Sequence, residues 1–200
     1  MNYKDNLDTF VLAGGKSSRM GQDKGTMDLG GKPMINHITD TLYQLGITPV
    51  VIANLDCYFR LNKYEVIKDI VHDQGPMGGL YTALSRSLKS HILLMSCDTP
   101  FIGIKAIKRL IDNTTQHADA VVAAYNGRPN PLMGIYKTSI KKEVVKRILY
   151  NQLKMQDLIF GLDYKMVSMD DLLQNQPHLF LNCNNKDDLK IAIEYAKHTN

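Results

Sequence analysis

The chain has 200 residues, 44% hydrophobic and 22% charged, with a formal net charge of +4. This is the length of one domain with a real core, taken as residues 1–200, and the small basic excess favours anionic ligands only weakly without pointing to nucleic acid. No apolar run approaches the roughly 20 residues of a membrane span, and the opening MNYKDNLDTF lacks the apolar centre of a signal peptide, so a cytoplasmic chain without membrane attachment is expected.

The predicted elements alternate between strand and helix. Thr9–Ala13 reads as a first strand, and Met34–Leu45 as a helix, with apolar residues at Met34, Ile35, Ile38, Leu42 and Leu45. Val50–Ala53 is a short β-branched run, and Tyr64–Ile67 a weaker strand. A helix is expected over Gly78–Leu88, after a turn at Gly75-Pro76. His91–Ser96 is apolar enough for a buried strand, and Ile104–Ile111 is helical, with Pro100 as its start signal. Ala120–Ala124 and Leu132–Tyr136 read as further strands, and Ser139–Tyr150 and Asp187–Lys197 as helices. Repeated strand–helix units predict an α/β fold of Rossmann-like type, a mainly parallel sheet with helices on both faces. In such sheets ligands bind outside the carboxyl ends of the strands.

Three stretches fall at those ends. The first, LAGGKSSRMGQDKG over Leu12–Gly25, leaves the first strand and is too polar for core. Gly14 and Gly15 let the backbone come close to a ligand, and Arg19 and Lys24 can neutralise phosphate oxygens. A plain tight turn would also explain a Gly-Gly pair; the added Arg and Lys shift the reading toward a triphosphate grip. It is not a Walker A loop: the nearest match, Gly25 to Pro33, has an extra glycine and ends in proline, and GxGxxG is absent after the first strand.

The second stretch, LLMSCDTPFI over Leu93–Ile102, puts Asp98 at a strand end on the same rim. A hard oxygen ligand there suits Mg²⁺ bound to phosphates. Taken alone, Asp-Thr-Pro reads more strongly as a cap for the following helix. The third, DQGPMGGLYTAL over Asp73–Leu84, carries glycines that would allow close approach of a planar ligand, and is equally well a turn before a helix.

The cysteines Cys57, Cys97 and Cys183 are odd in number and far apart, without a CxxC pair, so reduced thiols are expected rather than zinc or disulfides. The histidines His37, His72 and His91 lie on or beside predicted elements and read as structural or surface residues. Tyr81, at helical spacing, reads as core.

Together, LAGGxSxRMGxDK, CDTPF, GPMGG and the late FLNCNNKDDL resemble the molybdenum cofactor guanylyltransferase family in order and spacing. The resemblance implies a nucleotidyltransferase domain that transfers GMP from GTP to the terminal phosphate of molybdenum-molybdopterin, with Mg²⁺ required. It assigns guanosine contact to the backbone of Leu12, Ala13 and Gly14, with Gly15 beside them, and the triphosphate to Lys24 and Arg19. Asp69 and Asn54 fall at the nucleotide site, with Gly78 and Gly79 in the GPMGG turn; Asp98 is the magnesium aspartate, and Asn182 a late polar residue near the reaction centre. On this reading Arg19, Lys24 and Asp98 carry catalysis. Asn126–Pro131 loosely matches a basic-residue-then-proline stretch that holds the pterin partner. Cys183 and Asn185 stand where the late motif usually has an apolar residue and a threonine. The partners implied are GTP and molybdenum-molybdopterin, with proteins that deliver or accept the pterin, and a monomer is expected. Two alternatives stand beside this: a relative that uses CTP or a sugar or polyol phosphate, and a non-catalytic pterin carrier, against which the Lys24 and Asp98 pair argues.

Overall fold

A computed structural model describes residues 6–13, 24–53 and 64–199. The elements in chain order are β1 (Leu7–Leu12), α1 (Met34–Gln44), β2 (Val50–Ile52), β3 (Glu65–Ile67), α2 (Gly75–Arg86), β4 (His91–Ser96) and α3 (Ile104–Asp112). They continue as β5 (Ala120–Tyr125), β6 (Arg128–Lys137), α4 (Lys141–Leu149), α5 (Met155–Phe160), β7 (Tyr164–Ser168), α6 (Asp170–Asn175) and α7 (Lys186–Thr199).

Among the described residues the strands form one seven-stranded sheet in the order β3-β2-β1-β4-β6-β5-β7. Pairing is parallel between β1 and β2, β2 and β3, β1 and β4, and β5 and β7. Only β6 runs against its neighbours β4 and β5. Its reversal is made by Asn126-Gly127, both at positive φ (50° and 69°), a two-residue connection whose twist matches the strands it joins.

Strand side chains alternate between two cores, as period-2 geometry demands. Val11, Val51, Leu93, Met95, Val121 and Ile135 pack against α1 and α3. Phe10, Leu12, Ile52, Leu94, Val122 and Tyr136 pack on the other face against α2, α4 and α5. The central strand β4 is buried at every position, which is why HILLMS carries no polar alternation. A third, smaller cluster ties α7 to the start of α1 through Leu29, Met34, Cys183, Ala192 and Ala196. No helix of the described residues is long and apolar enough to cross a membrane.

Two expectations are corrected. The third stretch is not a turn followed by a helix from Gly78: α2 already begins at Gly75, with Pro76 at its first turn, so Gly78 and Gly79 are helical. The last predicted strand is longer, Arg128–Lys137 rather than Leu132–Tyr136: Pro129 keeps its place opposite Ala124 of β5 and Pro131 falls in the slip of register, so neither proline ends the strand.

Candidate active site

Strand order reverses beside β1: the chain steps outward through β2 and β3, then returns to lay β4 on the other side. A crevice opens at such a switch point, outside the carboxyl ends. Backbone bonds extend the ladder past those ends and fix the rim: Ala13 N–H donates to the Ile52 carbonyl (2.9 Å), Ala53 N–H to Ile67 (3.0 Å) and Cys97 N–H to Leu12 (3.0 Å).

On one side of the rim lie Leu12, Ala13 and Asp69, which the family resemblance assigns to the nucleotide. Leu12 and Ala13 end β1 with buried side chains. Asp69 follows β3 and is held by α2: its carboxylate accepts from the Thr82 hydroxyl and from the Val71 amide, while Thr82 Oγ1 accepts the Ile70 amide at 2.9 Å. Thr82 is fully buried, so the helix side of this anchor is fixed in the core while the Asp69 carboxylate is half-buried. Gly78 and Gly79 make room for protein rather than for a ligand. A Cβ on Gly79 would sit 2.6 Å from Leu12 Cδ2, and one on Gly78 would lie 2.9 Å from the Val71 carbonyl and 3.2 Å from Asp69 Oδ2. Their smallness lets α2 press the end of β1 and the Asp69 loop into one unit. Gly14, Gly15, Arg19 and Asn54 lie outside the described residues, as does the side chain of Lys24; the backbone of Lys24 opens a short 3-10 turn, Lys24–Thr26.

On the other side is a cleft of about 520 Å³ lined by Asp98, Tyr125, Arg128, Asn130, Gln156 and Asn182 among others. Asp98 reaches it from the end of β4. It does not cap α3, whose N-cap is Gly103 with no side-chain bond. Instead, its Oδ1 is buried with no hydrogen-bond partner among the described residues. A buried carboxylate oxygen left unbonded is costly and calls for a cation or donor from a ligand. That fits a hard divalent ion such as Mg²⁺, for which the neighbouring Asn182 offers a neutral oxygen. Among the described residues no cluster of three acidic, His or Cys side chains exists, so the protein would supply few ligands and a nucleotide's phosphates the rest.

The structure brings the late motif to Asp98. Cys183 N–H donates to the Asp98 carbonyl at 2.8 Å, and Asn182 lines the same cleft. The two departures from the usual motif keep their physical roles. Cys183 is fully buried against Leu29 and Met34, as an apolar residue would be. Asn185 caps α7: its Oδ1 accepts the amides of Asp187 and Asp188 (both 2.9 Å), and Asp188 Oδ2 accepts those of Asn184 and Asn185. This is a reciprocal capping box, in which Asn serves as well as Thr.

Several cleft residues carry no strong sequence signal. The rings of Tyr125 and Phe180 stack at 4.5 Å, 55 residues apart in the chain and joined only by the fold. Gln156 sits on a six-residue helix and donates to the Pro129 carbonyl at 3.0 Å. Arg128, Pro129, Asn130 and Pro131 of the lining fall in the Asn126–Pro131 stretch that the sequence singles out. His37, His72 and His91 do not line the cleft: His37 bonds the Leu29 carbonyl at 2.7 Å, His91 contacts Ser90 at 2.9 Å, and His72 is exposed. Cys97 and Cys183 are buried reduced thiols, and Cys57 lies outside the described residues.

The MobA-like NTP transferase domain matches residues 9–160. A Flavobacterium johnsoniae protein named probable molybdenum cofactor guanylyltransferase is 36% identical over 92% of this chain and 95% of its own. A Carboxydothermus hydrogenoformans protein of the same name is 34% identical, covering 94% and 96% of the two chains. The solved structure of molybdopterin-guanine dinucleotide biosynthesis protein A from Archaeoglobus fulgidus superimposes with a TM-score of 0.77 over 96% of this chain and 99% of that one, at 22% identity, and so shares the fold.

Proposed function

The chain belongs to the MobA-like NTP transferase family, and from that premise we propose that it transfers GMP from GTP to the terminal phosphate of molybdenum-molybdopterin, releasing pyrophosphate and the guanine dinucleotide form of the cofactor. The observation that carries the site assignment is Asp98 Oδ1, a buried carboxylate oxygen without a protein partner among the described residues, on a residue lining the cleft at the end of β4.

In the reaction an acceptor phosphate oxygen attacks the α-phosphorus of GTP. A new P–O bond forms, the bond from the α-phosphorus to the bridging oxygen of the β-phosphate breaks, and its electron pair leaves with pyrophosphate. The nucleophile is already anionic, so no strong general base is required. The difficulty is bringing two anions together, and positioning with charge neutralisation carries most of the rate. Mg²⁺ at Asp98 would supply neutralisation of the triphosphate and of the departing pyrophosphate.

Arg19 and Lys24 serve the triphosphate in this reading, and the backbone of Leu12, Ala13, Gly14 and Gly15 serves the guanosine. Asn54 and Asp69 complete the nucleotide side, Asp69 being held rigid by its Thr82 bond. The acceptor enters the cleft, where the Tyr125–Phe180 stack, Arg128, Asn130 and Asn182 offer an aromatic surface, a positive charge and amides. Such a set suits a planar, hydrogen-bonding acceptor that carries a phosphate. The same reading takes residues 1–200 as one nucleotidyltransferase domain acting as a cytoplasmic monomer.

Incubating the purified chain with each of the four NTPs, Mg²⁺ and molybdenum-molybdopterin, then identifying the nucleotide product, tests it. GTP should react in clear preference, because a site built for one base edge leaves polar groups unpaired with another. Equal turnover of CTP and GTP would overturn the guanylyl assignment.

A further inference from the structure

We infer that Tyr136 is a positioning residue for the acceptor, its buried hydroxyl holding the bulged start of β6 as a fixed wall of the Asp98 cleft. The inference rests on the cleft being the acceptor site. Its basis is a slip in the sheet. Val122 of β5 pairs with Gly134 of β6, yet the next residue, Ala123, pairs with Asn130. Pro131, Leu132 and Met133 are therefore extra on β6 relative to β5, while Met133 keeps its place opposite Met95 of β4. Such bulges re-aim a strand beside functional sites. Here the displaced segment supplies Arg128, Pro129, Asn130, Pro131 and Leu132 to the cleft wall.

Prolines at 129 and 131 donate nothing to a ladder, so other bonds must hold this wall. Leu132 N–H donates to Asn130 Oδ1 at 3.0 Å, and Gln156 Nε2 to the Pro129 carbonyl at 3.0 Å. The third tether comes from the core: the Tyr136 hydroxyl donates to the Pro131 carbonyl at 2.6 Å. Tyr136 is fully buried. Its ring lies over Gly134, two residues back on the same face; a Cβ there would be 2.9 Å from Tyr136 Cε2 and 2.9 Å from Val122 Cγ1. Glycine at 134 is what lets the ring reach Pro131. A phenylalanine at 136 would fill the same core space, so packing alone does not explain the hydroxyl. Burial pushes the phenol far above its ordinary range, so it remains a donor throughout working pH.

The test is Tyr136→Phe, read in two ways. Steady-state kinetics with molybdenum-molybdopterin and GTP should show the acceptor KM raised about tenfold, with the GTP KM and kcat within about twofold, because a buried carbonyl loses its donor on the acceptor side only. Amide hydrogen exchange of the unliganded protein should show protection at Leu132 and Met133 lowered about tenfold, while β1 and β4 are unchanged. Unchanged exchange would overturn the tether itself. Faster exchange with an unchanged acceptor KM would also overturn the inference, and would place the failure in the acceptor reading of the cleft. A proportional rise in both KM values would mark a general structural effect and refute it. If Tyr136→Phe does not fold, Gln156→Leu, which releases the neighbouring tether at a residue that also lines the cleft, must both lower exchange protection at Leu132 and Met133 in the unliganded protein and raise the acceptor KM selectively; a raised KM with unchanged exchange, or an unselective change, counts against the proposal.

Discussion

The Cys183 amide donates to the Asp98 carbonyl at 2.8 Å, tying a loop near the end of the chain to the end of the central strand. The bond leaves the Asp98 carboxylate with Oδ1 buried and unbonded among the described residues. Asp98→Asn keeps the size and the backbone bond but removes the charge that a cation needs. The rate of GMP transfer should fall at least ~10²-fold, comparable to removing a preorganised electrostatic group elsewhere. Melting temperature should change little, since Asn keeps the size of the side chain and the Cys183 bond is to the backbone. Rate and melting temperature together check this; near-normal activity in Asp98→Asn would defeat the metal assignment.

Thr82 gives a second expectation. It donates to the Asp69 carboxylate and accepts the Ile70 amide at 2.9 Å from within α2. Thr82→Val keeps the shape and removes both bonds. Leaving a half-buried carboxylate and its neighbouring amide short of a partner should cost about 1 kcal/mol of stability. If Asp69 serves the nucleotide as proposed, the KM for GTP should rise several-fold while the acceptor KM stays put. Denaturant unfolding and GTP kinetics read the two effects; a loss of stability with no change in the GTP KM would separate Asp69 from the nucleotide.

Much of this architecture is legible in the residues. The β4 run His91–Ser96 is apolar throughout because both sheet faces are covered, so its bounds follow from composition alone. Helix α1 shows its buried stripe, Met34, Ile35, Ile38 and Leu42, at helical spacing. The missed pieces lack such signals. Strand β7 is an edge strand with a single buried residue, Val167, and so alternates too weakly to read. Helices α5 and α6 have six residues each, too few for a periodic pattern. The antiparallel hairpin is legible too: Asn126-Gly127 is a strong two-residue turn signal between apolar runs, which the likeness of Asn126–Pro131 to a basic-residue-then-proline stretch overshadows. At the site, Asp98 stands out through its strand-end position. The Tyr125–Phe180 stack and the Thr82 anchor depend on side chains meeting across the fold, which no local pattern encodes.

His37 supplies a pH dependence with a definite sign. Its Nε2 donates to the Leu29 carbonyl at 2.7 Å, pinning the segment that leads into α1. Burial, the largest cause, lowers its pKa below the ordinary 6.5, helped by the nearby positive charge of Lys32; the Leu29 bond and the carboxylates of Asp40 and Asp28 oppose this without reversing it. His91 is lowered as well, by burial and then by Lys137. Protonation would not break the Leu29 bond, since Nε2 remains a donor; the cost is a charge placed where water is scarce. Between the folded and unfolded pKa values the unfolded chain binds more protons, so stability rises with pH in that window. The contribution is fully present above pH 6.5, the unfolded value, and is lost as pH falls through the lower folded one. Melting temperature should therefore drop between about pH 7 and pH 5. Glutamine at this position can still donate to the Leu29 carbonyl but does not titrate. His37→Gln should flatten that drop in part, leaving the share of His91 and the carboxylates. Melting curves of both proteins across the window decide it: parallel profiles would show that His37 carries its proton equally well folded and unfolded.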